Sequence, residues 1–541
     1  MKNEWIIYVI PFFCSWFFLA CAQRQEPDNL GVIALQESAT PVRPGIPGER
    51  PFWNEYAKRF IYAPAFDFKE IENATTYRFE LTSLDDSATY RFESDKPYSA
   101  LSPVWIDLPV GSYNLVVTAL SKDGQEIGVS GKRDFYRAAT FNGIYHNPVM
   151  PYDQSAALAL DQLMEKDYVQ YWLSHKEPAP DYINYRYPAK IYSALVIGAV
   201  THARLKNWTA NAERSAKLAR IVADYMLSIR FKEGSPWEYF VPTYYGVHSE
   251  KAQKEHLKPI NHFSIMGADA GNAFLDLYDY TGEEKYLEAA KKIAETYLKR
   301  QLSNGSWYQF VKHETGEPTA ENIVIPTAII NYFDRLKRDY KVEGLNEATE
   351  KAIKWVMENP VKTFDWQGQF EDINARPPYR NLSREQACDL AIYLFKNKKK
   401  LELAEELVRF SEDQFVIWER PMKIAYQEPR LGGKSENWIT PSVQEQYAFW
   451  MPVGRSAGIM LETYWEAYVA TKNGIYLAKA KSIANSFTVV QKANNGDYPT
   501  FFTQYPMNRW LNSTVYPAKI LMSLANNIKK PQFSNINKTL K

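Results

Sequence analysis

Thr281-Gly282-Glu283-Glu284-Lys285-Tyr286-Leu287-Glu288-Ala289-Ala290-Lys291-Lys292-Ile293-Ala294 lies over Thr471-Lys472-Asn473-Gly474-Ile475-Tyr476-Leu477-Ala478-Lys479-Ala480-Lys481-Ser482-Ile483-Ala484 with Thr, Tyr-Leu, Ala-Lys and Ile-Ala in register. A fainter copy, Ala219-Arg220-Ile221-Val222-Ala223-Asp224-Tyr225, is again succeeded by a glycine and an aromatic residue. Loops of one flavour come after these segments: Glu233-Gly234-Ser235-Pro236-Trp237, Asn304-Gly305-Ser306-Trp307 and Asn494-Asn495-Gly496-Asp497-Tyr498. Self-similar helix pairs cannot each bury an apolar face alone, so the repeat implies stacked helical hairpins.

On either side of the repeat, apolar residues spaced i, i+3, i+4 and i+7 predict helices over 153–174, 189–205, 209–231, 263–280, 283–302, 319–339, 344–358, 383–396, 399–416, 442–470, 474–491 and 511–528. Stacked hairpins either stay open as a solenoid or close into a ring. These twelve helices make six hairpins, the number that closes an (α/α)6 toroid, so a mainly α domain is expected over 141–530, with a tail at 531–541.

The region ahead of the helices reads differently. Lys2, the apolar run Trp5 to Ala20 and then Phe18-Leu19-Ala20-Cys21 have the form of a lipoprotein signal peptide over 1–20, with Cys21 as the lipidated first residue. The run is shorter than the roughly 20 apolar residues that span a membrane. Residues 21–57, rich in Pro, Gly and charge, read as a flexible tether. From 58 to 140 the period falls to two: Tyr77, Phe79 and Leu81, then Tyr113, Leu115, Val117 and Ala119, with Lys122-Asp123-Gly124-Gln125 as a tight turn. Five to seven short strands would make a small β-sandwich. An exported outer-membrane lipoprotein, on the periplasmic or cell-surface side, is the expected location, with the membrane contacted through the lipid.

Composition narrows the function. With 64 Lys+Arg against 63 Asp+Glu among 541 residues, the chain lacks the basic surplus of a nucleic-acid binder. Aromatic content of 15% suits a helical core or a sugar-stacking cleft. Only Cys388 remains in the body of the mature chain, and the seven histidines are dispersed, so no metal or cofactor site is signalled. No dinucleotide-binding, P-loop, nucleophile-elbow or zinc-protease motif occurs.

The repeat Tyr-Leu-x-x-Ala-x-x-Ile-Ala with Asn-Gly-x-Trp/Tyr, the lipoprotein start and the β-module together resemble the six-hairpin carbohydrate-active enzymes of Bacteroidota polysaccharide-utilisation systems, namely uronyl hydrolases and toroidal polysaccharide lyases. The module itself is similar to fibronectin type III domains through Tyr-x-Phe-x-Leu and Leu-Pro-x-Gly-x-Tyr-x-Leu-x-Val. The resemblance implies an anionic oligo- or polysaccharide substrate containing uronic acid, with ulvan as the first guess.

The polar segments that interrupt the apolar runs carry the candidate chemistry. Asn261-His262 before a helix can hydrogen-bond a substrate carboxylate and acidify the neighbouring C–H, and it is similar to the Asn/His pair of toroidal lyases. It also fits a helix cap beside a boundary histidine. Asp269, in a small-residue stretch, is a general-acid candidate like that of uronyl hydrolases. The loop Phe364 to Asn381 offers Trp366 for sugar stacking, Glu371 and Asp372 as acids, and Arg376, Tyr379 and Arg380 for an anionic group. Tyr447, Trp450 and Arg455 form another aromatic and charged cluster, while Tyr185-Arg186-Tyr187, Tyr244-Tyr245 and Trp237 precede helices, Tyr185 being a candidate base. Elimination needs a carboxylate neutraliser and a Tyr or His base, whereas hydrolysis needs two acids. The balance of Asn, His, Tyr and Arg favours elimination, by a lyase or by dehydration at an end residue. The alternatives are a glycoside hydrolase acting through Asp269 with Glu371 or Asp372, and a glycan-binding lipoprotein without chemistry.

Overall fold

The computed structural model describes residues 29–43, 54–55, 57–143, 145–205, 211–245, 262–319, 321–369, 385–419, 438–445, 452–503 and 510–529. The signal-peptide segment, Cys21 and the tail after 530 lie outside them. Part of the expected tether is docked. After α1 (Leu30–Glu37), Arg43 donates through Nε (3.1 Å) and Nη2 (2.5 Å) to Glu406 and through Nη1 to the Val361 carbonyl (2.7 Å). The buried apolar anchors of this segment are Ala34, inside the short apolar run Val32-Ile33-Ala34-Leu35, and Val42, which follows Pro41.

The period-two region forms one sheet and not the expected sandwich. Strands β1 (Arg59–Phe60), β2 (Thr76–Ser83), β3 (Thr89–Ser94), β4 (Gly111–Leu120) and β5 (Glu126–Arg137) lie in the order β1-β5-β4-β2-β3, with β1 parallel to β5 and the other pairs antiparallel. Alternate residues Tyr77, Phe79, Leu81, Tyr113, Leu115 and Val117 are buried on one face. Irregular chain, carrying Phe66, Leu108 and the short helix α2 (Ser102–Trp105), supplies the second layer. Trp105 fixes that layer by donating to the Ile61 carbonyl at 2.8 Å. Alternation reports a half-buried strand and is silent on whether a sheet or a coil covers it.

The helical ring comes next. In chain order it comprises α3 (Tyr152–Met164), α4 (Asp167–His175), α5 (Pro188–Arg204), α6 (Ala212–Ile229), α7 (Gly267–Thr281), α8 (Glu284–Arg300), α9 (Thr327–Tyr340), α10 (Asn346–Glu358), the short α11 (Pro360–Thr363), α12 (Glu385–Lys396), α13 (Leu401–Phe415), α14 (Gly454–Thr471), α15 (Gly474–Ala493) and α16 (Asn512–Lys529). Helices α5, α7, α9, α12, α14 and α16 each touch the next, and α16 touches α5, so they close an inner ring; α6, α8, α10, α13, α15 and α3 back them from outside. The last pair joins chain ends, since α16 packs on α3. A polar seam fixes α3 to α15: Ser155 Oγ donates to Gln491 Oε1 (2.6 Å), Gln491 Nε2 returns a bond to the Ser155 carbonyl (2.8 Å), and Tyr152 donates to Asn485 Oδ1 (2.6 Å).

Three predicted helices differ. The 153–174 segment breaks at Lys166, whose backbone is extended. The segment read from 319 begins at Thr327, because Pro318 and Ile323 form bridges to Val311 and Tyr308. The segment read from 442 begins at Gly454, and Ser442–Val443 instead pairs with Val416–Ile417.

The sequence repeat has a structural cause. Thr281 donates to the Leu277 carbonyl (2.9 Å) and accepts the Glu283 N–H (3.1 Å); Thr471 makes the same bonds to Ala467 (2.7 Å) and from Asn473 (3.2 Å). Gly282 and Lys472, with φ of 70° and 60°, end the two inner helices in the left-handed conformation. Tyr286 then donates to Asp224 (3.0 Å), and Tyr476 to Glu405 (3.2 Å), tying each outer helix to the preceding one. Asp224 belongs to the third, fainter copy.

The sheet module is held to the ring by buried polar contacts. Arg59, fully buried, donates to the Asp413 (2.7 Å) and Val416 (2.5 Å) carbonyls, while Asp413 Oδ1 accepts the N–H groups of Ile61 (2.5 Å) and Tyr62 (2.8 Å). Beside this junction Lys479 of α15 pairs with Glu412 of α13 at 2.8 Å, with side chains 1% and 2% exposed, and Trp418 donates to Glu412 at 3.1 Å. Removing one member of such a pair strands a buried charge, whereas replacing both with apolar groups does not. Lys479→Met alone is therefore expected to cost about 3–5 kcal/mol, and Lys479→Met with Glu412→Leu much less. Denaturant unfolding of both variants checks this; equal losses would contradict it.

Candidate active site

The connections differ by ring face. Segments 205–211, 282–283, 341–345, 397–400 and 472–473, leading from inner to outer helices, are short, whereas 176–187, 230–266, 301–326, 359–384, 416–453 and 494–511, returning to inner N-termini, are long. Side chains that can build a site are thus supplied at the face where the inner N-termini converge. A cavity of about 50 Å³ opens there, lined by Lys190 of α5, Phe263, Ile265 and Met266 ahead of α7, Asp269 of α7, Ala328 of α9, Gln369 of the loop before α12, Glu385, Gln386 and Asp389 of α12, and Arg455 of α14. Each helical member lies in the first two turns of its helix, where the macrodipole favours negative charge.

Close packing makes this convergence possible. Gly271 of α7 lies so near Tyr332 of α9 that a Cβ would sit 2.4 Å from its ring. Tyr332 in turn donates to the Ala290 carbonyl at 2.5 Å. Below the cavity, polar groups fill the axis. Asn331 donates to the Thr327 (3.1 Å) and Asp389 (3.0 Å) carbonyls, Arg335 to Asn272 Oδ1 (3.0 Å) and Asp276 (2.7 Å), and Lys519 of α16 to Asp276 (2.6 Å). The acids therefore stand on a fixed floor.

Arg455 grips Glu385 with both terminal nitrogens, Nη1 to Oε2 at 3.1 Å and Nη2 to Oε1. Its guanidinium also lies 5.5 Å from the Tyr516 ring centroid of α16. Despite burial, the Glu385 carboxylate holds Arg455 firmly charged. Asp389 is in the opposite state: burial pushes its carboxyl well above the usual range, Glu385 adds to that, Arg455 opposes it, and Glu462 and Asp269 contribute further in the raising direction. Tyr516 is raised by burial and by Asp269. One cavity thus holds an acid inclined to keep its proton, a second carboxyl group and a fixed ion pair.

Of the residues singled out in the sequence, Asp269 and Arg455 are brought together here. His262 is not in the cavity: it is fully buried among Phe231, Trp237 and Phe240, with ring centroids 5.1–5.5 Å away, and burial, with His313 adding to it, lowers it to about 3. An uncharged, enclosed imidazole cannot neutralise a substrate carboxylate. Tyr185 is buried and donates to the Tyr168 carbonyl at 3.1 Å, and burial raises its phenol far above the range of a base. Trp366 packs on Phe364 and Phe410, and Trp237 on Phe240, so neither presents a face to sugar. Tyr245 is likewise buried. The glycine-aromatic turns serve as plugs beneath the outer helices. Asn261, Glu371, Asp372, Arg376, Tyr379, Arg380, Tyr447 and Trp450 lie outside the described residues.

Lys190, Glu385, Asp389 and Tyr516 escape a reading of the sequence. A signal exists for two of them: Glu385 and Asp389 stand four apart, on one face of a helix whose other positions, Ala387, Leu390, Ala391 and Ile392, are apolar. Two acids on a face that should be buried mark an axis position. Among the described residues no cluster of His, Cys, Asp and Glu has metal-binding geometry, and no helix is long and apolar enough to cross a membrane.

No protein-family model and no curated protein matches the sequence. Among solved structures, the chain is similar to a family 76 glycoside hydrolase from a bovine Bacteroides thetaiotaomicron strain (TM-score 0.46, 13% identity, 87% of this chain and 96% of that one). It is also similar to cellobiose 2-epimerase from Spirochaeta thermophila (0.43, 11%, 69% and 98%) and to an unsaturated glucuronyl hydrolase specific for heparin (0.43, 10%, 70% and 97%). These likenesses are remote.

The charge arrangement has a measurable consequence. Glu385→Gln removes an anion that raises Asp389 and releases Arg455, which lowers it, so both effects act in one direction. Asp389 should then ionise at lower pH than in the wild type, as monitored by carbon-13 NMR of aspartate-labelled protein. An unchanged or higher titration point would contradict the arrangement.

Proposed function

We propose that the axial cavity is the active site of a carbohydrate-active enzyme that hydrolyses a glycosidic bond, with Asp389 as general acid and Asp269 as general base. The observation that supports this is the pairing, in one cavity at the helix N-termini, of a carboxyl that burial shifts well above the usual range with a second carboxyl. The division of labour is the one hydrolysis requires. Asp389 donates its proton to the glycosidic oxygen as the bond from the anomeric carbon breaks. A water attacks that carbon and gives its proton to Asp269, so one water is consumed and both products are saturated. The Arg455–Glu385 pair tunes Asp389 and holds α12 against α14.

Hydrolysis is preferred here over the elimination that the sequence favours. The Asn/His neutraliser has one member outside the described residues and the other enclosed in aromatic rings, and the Tyr185 phenol is turned to a backbone carbonyl. Export and lipid attachment through Cys21 to the outer membrane remain part of the proposal, supported by the sequence of residues 1–21.

Purified mature protein is incubated with neutral and acidic oligosaccharides, and product mass and ultraviolet absorbance are recorded together. The expected products gain one water per cleavage and show no new chromophore. Asp389→Asn and Asp269→Asn should each lower the rate by about 10²–10⁴-fold. An unsaturated product, or full activity in Asp389→Asn, would overturn the assignment.

A further inference from the structure

A groove of about 590 Å³ opens on the outside of the ring, between the end of α10, α11 and the start of α13. Met357, Val361, Leu401 and Leu403 give it apolar walls, with Lys400 and Glu402 beside them. All four apolar side chains pack on the core yet remain partly exposed. Arg43 of the docked segment donates to the Val361 carbonyl (2.7 Å) and to Glu406 (3.1 Å), so the chain leading from residue 21 reaches the edge of this groove.

Lys400 belongs to the connection Asn397-Lys398-Lys399-Lys400 between α12 and α13. Lys398, Lys399 and Lys400 are exposed, as is Lys362 after Val361, and among the described residues none of the four has an ion-pair partner. Lys396, by contrast, pairs with Glu462 at 3.3 Å. Local preferences are broken here in three ways. Lys398 and Lys400 have φ of 51° and 44°, the left-handed region in which glycine is usual. Lys400 holds the N-cap position of α13 without a side-chain cap bond, so a cation stands at the positive end of the helix dipole. Lys399 crowds the half-buried Lys337, whose ammonium is lowered by burial and further by Lys399, with Asp334 and Glu350 opposing. Cations gathered against local preference, next to exposed apolar walls, mark a surface completed by something outside the chain.

We propose that this lysine turn and the adjoining groove dock the protein on an anionic membrane surface, the ammonium groups meeting lipid phosphates and the groove walls meeting the acyl boundary. Charge and apolarity together select this occupant. A soluble anion would leave Met357, Val361, Leu401 and Leu403 in water, and an apolar peptide would leave Lys398, Lys399 and Lys400 unpaired; an anionic amphiphile meets both demands. Glu402 is the one acid beside the groove and is outnumbered by the lysines. The surface is independent of the reaction assigned to the cavity and bears on how the ring is presented. Glu385 and Asp389 lie at the start of α12 and the lysine turn follows its end, a span of about 18 Å for its 12 residues. Contact at the turn therefore leaves the cavity at the end of the axis away from the membrane.

Mature protein made without the signal segment, and so without lipid, is sedimented with vesicles of phosphatidylcholine alone or mixed with phosphatidylglycerol. The result then stands whether or not Cys21 is acylated in the cell. Partition onto the mixed vesicles should exceed that onto phosphatidylcholine by about tenfold or more and should fall as salt is added. Changing Lys398→Gln, Lys399→Gln and Lys400→Gln together should lower it about 100-fold, and Met357→Glu, which places a carboxylate in the groove, should lower it as well. Lys291→Gln with Lys292→Gln, on α8, should leave it unchanged. In the unmodified protein, amide hydrogen exchange over 397–403 should slow on mixed vesicles, a reading that needs no variant. Equal partition onto both vesicle types, undiminished partition of the triple variant, or slowed exchange confined to other segments would overturn the docking surface. Self-association abolished by Met357→Glu, with no partition onto mixed vesicles, would give the groove to a second copy of the chain and overturn it too.

Discussion

Ring closure is the constraint on which the rest depends. Each inner helix is buried on both flanks by its neighbours, and only the packing of α16 on α3 and α5 gives the first and last pairs the same cover. Had the stack stayed open, two inner helices would expose apolar flanks to water at about 25 cal/mol per Å². The seam Ser155–Gln491 and Tyr152–Asn485 is where the beginning and end of the domain are joined, through oriented polar bonds. Closure also creates an axis, and an axis lined by six helices has two unlike ends.

The unlike ends explain where charge is tolerated. At the N-terminal end, helix dipoles, Arg455 and Lys190 surround Asp269, Glu385 and Asp389. Further down, Asp276 is compensated by Arg335 of α9 and Lys519 of α16. Charge buried without such partners would cost several kcal/mol per group. Asp389 is the exception: it is crowded by acids, with Arg455 already engaged by Glu385, and burial pushes its carboxyl well above the usual range. In the proposed reaction that uncompensated position becomes the proton source.

The fold was largely legible in the sequence because its repeat is physical. Thr281 and Thr471 recur since both close the same inner-to-outer turn, and Tyr286 and Tyr476 recur since both reach an acid on the preceding outer helix. The site was less legible. Periodicity identifies a helix but not which of its faces meets the axis, so Glu385 and Asp389 are not singled out. Trp366 is a candidate for sugar stacking and Trp237 a candidate binding residue in the sequence, yet both are buried. Tyr187 and Tyr244, which stack on each other, come from distant segments whose meeting no local spacing encodes. The β-module was legible as strands, while its covering layer of coil had no period to detect.

The most direct test of the central claim, that the chemistry lies at the N-terminal end of the ring axis, is a crystal structure of the Asp389→Asn protein with a bound acidic oligosaccharide. The account predicts a glycosidic oxygen within hydrogen-bond distance of residue 389. A sugar bound elsewhere on the ring or on the β-module, with the axial cavity empty, would contradict it.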